Sequence, residues 1–107
     1  MSSYITTGLT AFATGGRANA TVLPSTTSQF ISVGTCATNA DSVKLTPFVS
    51  NQILYLVNNG AANMAVFPST ATGTINGGGA GASVTVNAGV SVRIVCLSTG
   101  ADNYWVF

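Results

Sequence analysis

Few side chains in this sequence can carry chemistry. Asp41 and Asp102 are the only side-chain carboxylates, Cys36 and Cys96 the only thiols, and Arg17, Lys44 and Arg93 the only cations; His and Glu are absent. Two carboxylates facing one cleft would be the minimum for glycoside hydrolysis. Both Asp residues, however, fall in predicted turns, Asp41 after Asn39-Ala40 and Asp102 after Gly100-Ala101, where Asp commonly serves the neighbouring backbone. Without His there is no Ser-His-Asp or Cys-His nucleophile and no imidazole ligand for zinc. Lys44 lacks a Ser-Lys motif, and two widely separated cysteines do not make a zinc site. The sequence therefore predicts no enzyme, no bound metal and no cofactor.

The charges are as sparse as the catalytic groups. Among 107 residues, 47% are hydrophobic and 5% charged, against roughly 25% charged in an average soluble protein. A net charge of +1 with no basic cluster argues against nucleic acid as a partner and against an anionic membrane surface. Little repulsion would keep copies apart, and interface cores are depleted in charge. Much of the surface is therefore expected to be covered by partners or by copies of the chain. Residues 1–16 lack the basic start and apolar stretch of a signal peptide, and the longest apolar run, Ile53 to Val57, has strand length rather than membrane-helix length. Synthesis in a cytosol is expected, with Cys36 and Cys96 as buried thiols rather than a disulfide.

The elements that must hold these residues read as strands: Ala18 to Leu23, Gln29 to Val33, Ser42 to Leu45, Gln52 to Val57, Met64 to Phe67, Ala82 to Val86, Val90 to Leu97 and Asn103 to Phe107. β-Branched residues are common and Gly, Asn and Pro punctuate them. Short, closely spaced strands predict an all-β fold, a small jelly-roll-like sandwich or barrel. Gly73 to Gly81, GTINGGGAG, reads as a flexible loop, because a phosphate cradle would need a following helix and usually a Lys.

Two strings repeat. GAANMAVF at Gly60 to Phe67 resembles GADNYWVF at Gly100 to Phe107, and Val22-Leu23-Pro24-Ser25-Thr26 resembles Val66-Phe67-Pro68-Ser69-Thr70. Residues 17–107 are then read as a single β domain with candidate internal repeats 21–67 and 65–107, each a β-meander. Each repeat would end in a hairpin, turned in the first by Asn58-Asn59-Gly60 and in the second by Ser98-Thr99-Gly100. Ile53, Tyr55, Val57, Val66, Val84, Val86, Val92, Ile94, Cys96, Trp105 and Phe107 are the expected core. The long strands are apolar on both faces, which fits a strand covered by the core on one side and by a neighbouring subunit on the other.

Residues 1–16 read as an edge segment or an N-terminal arm that docks on a partner, with Tyr4, Ile5, Leu9 and Phe12 as its apolar residues in a polar segment. At the other end Tyr104 and Trp105 are candidates for a subunit contact or an aromatic platform.

From Asn51 to Phe107 an apolar strand runs into VNNGAANMAVFP, then a TING loop, then ASVTVNAGVSVRIVCLSTGADNYWVF. In this pattern the chain resembles small phage virion proteins of the head-decoration, or cement, type. The pattern also occurs in phage fibre and tail modules. The resemblance implies a homotrimer on the capsid surface of a virion, made in the host cytoplasm and bracing neighbouring copies of the major capsid protein. In that setting Tyr4, Ile5, Leu9 and Phe12, apolar residues of a polar segment, are the candidate capsid contacts. The alternative is a fibre or tail module that binds a receptor or glycan, with Tyr104 and Asn103 at its site. Thr70, Thr72 and Thr74 form a short alternate row of the kind found on ice-binding surfaces, but nothing extends it into an array.

Overall fold

The computed structural model describes residues 5–13, 16–25, 28–48, 52–97 and 102–107. Among them are ten strands and no helix: β1 (Ile5–Thr10), β2 (Thr21–Val22), β3 (Phe30–Thr35), β4 (Asp41–Lys44), β5 (Ile53–Asn58), β6 (Met64–Phe67), β7 (Thr74–Ile75), β8 (Val84–Val86), β9 (Ser91–Cys96) and β10 (Asn103–Val106). The all-β expectation holds. The eight predicted strands are present, and two more, β1 and β7, lie in segments read as an arm or edge and as a loop.

The strands form a six-stranded sheet, β1-β3-β5-β9-β10-β7, and a four-stranded sheet, β2-β4-β6-β8. The chain alternates between the two sheets from β1 to β9. β1, β3 and β5 pair in parallel, as do β2, β4 and β6. Ile5 stands beside Phe30, and Phe30 beside Tyr55, so the chain returns to its own sheet once per coil of roughly 25 residues. This solenoid-like winding differs from the antiparallel jelly roll that the strand spacing suggested. Spacing alone reports strand length, not the direction in which a strand returns.

The winding then reverses. β8 pairs antiparallel to β6 and β9 antiparallel to β5, and β10 closes the larger sheet by fitting between β9 and β7. Of the two expected hairpins, β9–β10 pairs antiparallel, whereas β5 and β6 lie in different sheets. The similar strings at 60–67 and 100–107 thus supply a strand of the smaller sheet in one case and of the larger sheet in the other.

One core lies between the sheets. Ile31, Val33, Leu54, Leu56, Ile94, Cys96 and Tyr104 enter it from the larger sheet, and Val43, Met64, Val66 and Val86 from the smaller. Val66, Val86, Ile94 and Cys96 sit where the sequence put them, and Val84 and Val92 are partly buried against the core. Val57 is also only partly buried. Ile53, Tyr55, Trp105 and Phe107 are exposed instead. Side chains alternate across a strand, so a one-residue error in phase turns a whole strand inside out. In β5 the inward residues are Leu54 and Leu56, and in β10 the inward aromatic is Tyr104.

Both cysteines are buried thiols. Burial pushes the Cys36 thiol up, and the nearby Asp41 charge adds to the effect. The thiolate is the reactive form, which disfavours Cys36, and both sulfurs are shut away from reagents by burial, so neither thiol should react appreciably with a disulfide reagent such as DTNB in the native protein. Two equivalents should titrate rapidly once denaturant unfolds the chain; fast native reaction of either would contradict this packing.

Candidate interaction face

The residues that could do chemistry are engaged in holding the fold. Asp41, buried at the start of β4, accepts hydrogen bonds from the backbone N–H groups of Ala37 (3.2 Å) and Thr38 (3.1 Å). Asp102 accepts from the N–H groups of Ser69 (2.9 Å) and Thr70 (2.8 Å), from the Thr70 hydroxyl (2.6 Å) and from the Tyr104 hydroxyl (2.7 Å). It thereby ties the turn after β6 to the start of β10. Asp41 thus serves its own turn, as expected, whereas Asp102 serves backbone 33 and 32 residues away rather than its own turn. Lys44 and Arg17 donate to the backbone carbonyls of Ala18 (3.4 Å) and Ser69 (3.2 Å).

What remains outside is the outer face of the six-stranded sheet. The strand registers set side by side, in one rank, Ile5 of β1, Phe30 of β3, Tyr55 of β5 and Arg93 of β9. Phe107 completes the rank, because its N–H and C=O exchange hydrogen bonds with those of Arg93 (2.8 and 2.7 Å). A second rank aligns Ile53, Val95 and Trp105. At about 4.8 Å per strand the first rank spans roughly 19 Å, with the second about 7 Å along the strands. Phe30 is 38%, Tyr55 46%, Trp105 46% and Phe107 51% exposed. The only charged group in either rank, the Arg93 guanidinium, lies 4.9 Å from the centre of the Phe107 ring, an attractive cation–π geometry. The Trp105 ring also reaches Gly77, in the turn beyond β7.

The predicted site residues are divided by this arrangement. Tyr4 lies outside the described residues. Ile5 is exposed in the first rank, but Leu9 packs against the core and Phe12 is half-buried. Phe12 also forms a two-way backbone bridge to Ser42. The segment 5–10 is thus an edge strand, and its apolar residues do not share one outward patch. Trp105 is on the surface as an aromatic platform requires, while Tyr104 is not: it is fully buried, 6.2 Å from Phe48 between ring centres. Adjacent residues in a strand face opposite ways, so Tyr104 and Asn103 cannot form one surface site. Asn103 instead accepts from the Thr74 hydroxyl (2.6 Å). The threonine row is also engaged locally, Thr70 with Asp102 and Thr72, Thr74 with Asn103.

Phe30 and Arg93 were not anticipated as surface groups of interest, and Ile53, Tyr55 and Phe107 were expected inside. The available signal was the apolarity of β5 on both faces, which already implied an outer covering. No protein-family model, no curated protein and no solved structure matches this chain.

Proposed function

We propose that this chain is a structural protein of a phage particle: a homotrimer that decorates the head and braces neighbouring major capsid proteins from outside. The capsid setting comes from the resemblance of residues 51–107. The observation that carries an assembly role is the aromatic and aliphatic face of the six-stranded sheet, in which Arg93 is the one charged group among the ranked residues. Exposed apolar surface of this extent characterises interaction sites. Ile5, exposed on the edge strand β1, is the remaining described candidate for touching the capsid through its side chain. A second reading, a fibre or tail module that stacks a glycan on an aromatic platform, is favoured by the exposed Trp105 ring beside Gly77.

Co-sedimentation with undecorated phage heads tests the first reading. Saturable binding is expected, and it should be weakened several-fold by Ile5→Lys with the fold intact. Deletion of residues 2–16 is a poor test, because it removes an edge strand and the buried Ala11. Heads that pellet without the protein, together with specific signals on a glycan array, would replace the first reading by the second.

A further inference from the structure

We infer that the outer face of β3, β5, β9 and β10 is covered by the corresponding faces of the other copies in the trimer, with Ile5 on the edge strand β1 left at the rim. This rests on reading that face as an interface, and it names the partner. Taking about 200 Å² for each aromatic side chain, the exposed fractions of Phe30, Tyr55, Trp105 and Phe107 leave roughly 400 Å² of ring in water. Ile53 and Arg93 extend the face toward the roughly 800 Å² that each partner contributes to a standard interface. Its composition, aromatic residues with Arg and without Lys, Glu or Asp, is that of an interface centre.

Two observations favour a copy over a foreign partner. The face carries one cation and no anion, so it offers little charge pattern by which to select a different protein. The face is also an array of adjacent strands, β3, β5, β9 and β10, and the natural cover for an apolar sheet face is another sheet, with side chains interdigitating about 10 Å apart. Other copies bring matching sheets, and their mutual contact removes every one of these apolar faces from water.

The only tryptophan, Trp105, sits within the face and reports on it directly. Sedimentation velocity of the wild-type chain should give a multiple of 10.7 kDa, and dilution to the monomer should shift Trp105 emission to the red. Tyr55→Lys, which places a charge in the middle of the first rank, should weaken association at least 100-fold and give red-shifted emission at every concentration. Val22→Lys, at an exposed position on the smaller sheet, should leave mass and emission unchanged. Circular dichroism and thermal melts establish that the variants fold. A wild-type chain that stays at 10.7 kDa up to about 100 µM, or a folded Tyr55→Lys protein that keeps the wild-type mass, overturns the inference. A monomer that still binds phage heads overturns it while sparing the capsid reading. An oligomer, dispersed by Tyr55→Lys, that ignores heads supports the inference and removes the capsid reading.

Discussion

Asp102→Ala should destabilise the chain by about 3–4 kcal/mol, a loss of roughly 15 °C in Tm measured by calorimetry. The reason is the number and kind of donors that depend on this carboxylate. It serves two backbone N–H groups and two hydroxyls. Hydrogen bonds to a charged acceptor contribute more than neutral ones, and the Tyr104 hydroxyl belongs to a fully buried side chain with no water to take over. Gly73 packs so closely against Asp102 and Pro68 that a methyl group there would displace them. A double-mutant cycle separates the contributions. Tyr104→Phe alone should cost about 1 kcal/mol. In the Asp102→Ala background it should cost nothing or stabilise, since it removes a stranded hydroxyl. Equal costs in both backgrounds would show that the Tyr104–Asp102 contact does not couple the two residues.

The same carboxylate gives the acid stability curve its form. Burial raises the Asp102 carboxyl, but the hydrogen bonds from Thr70, Ser69 and Tyr104 together outweigh it, and the net displacement is downward from the ordinary value. A carboxyl held lower in the folded chain than in the unfolded chain binds its proton more readily after unfolding. Its contribution is therefore complete above the unfolded value near 3.9 and is lost as pH falls through the folded value. Urea midpoints should be nearly level from pH 7 to about 5 and should decline below about 4. Asp102→Asn should remove most of that decline; an unchanged acid limb would assign it elsewhere. In the opposite range, burial and the neighbouring Asp102 charge hold the Tyr104 phenol far above its usual value.

The strands were legible where one residue fixed their phase. In β9 the charged Arg93 must face out, so Val92, Ile94 and Cys96 face in, and the structure agrees. β5, ILYLVN, contains no such marker. Leu and Ile or Tyr occupy both faces, and either phase buries apolar surface; the neighbouring strands decide it. In β10 the same ambiguity is settled by Asp102, which draws the Tyr104 hydroxyl inward and leaves Trp105 and Phe107 outside. The winding was less legible still. Parallel coils require only that inward positions match, as Ile31 with Leu56 and Val43 with Val66 do. That leaves no repeated string to find, whereas the strings that do repeat occupy different sheets. The outer face could be inferred as a covered surface from β5, but its membership needed the register that sets Phe30, Tyr55 and Arg93 side by side.

Asn58→Asp should be more damaging at neutral pH than Asn58→Ala, although it is closer in shape. The sequence places Asn58-Asn59-Gly60 in a hairpin turn with positive φ. In the structure there is no hairpin, and the non-glycine residues with positive φ are Ala40 and Asn76 among those described. Asn58 acts through its side chain. Fully buried at the end of β5, its Nδ2 donates to the carbonyls of Ala62 (2.8 Å) and Val86 (2.9 Å), while its Oδ1 accepts from the Gly60 N–H (3.0 Å). One amide thus joins the corner after β5 to β8. Gly60 then passes against the Cys36 backbone, where a Cβ would collide, and the Cys36 carbonyl accepts from the N–H groups of Ala61 and Ala62 (3.1 and 2.9 Å). Successive coils are fastened at this corner. Asn58→Ala removes three bonds and leaves two buried carbonyls and an N–H to find other partners, at a cost of about 3 kcal/mol. Asp keeps the acceptor for Gly60 but turns a carboxylate oxygen toward both carbonyls in a dry site, so it should cost at least about 1 kcal/mol more than Ala. Protonation would restore one donor, so the gap between the two variants should narrow as pH falls from 7 to 5 in urea melts. If Asn58→Asp is instead as stable as wild type at pH 7, the amide is not the fastening that joins these coils.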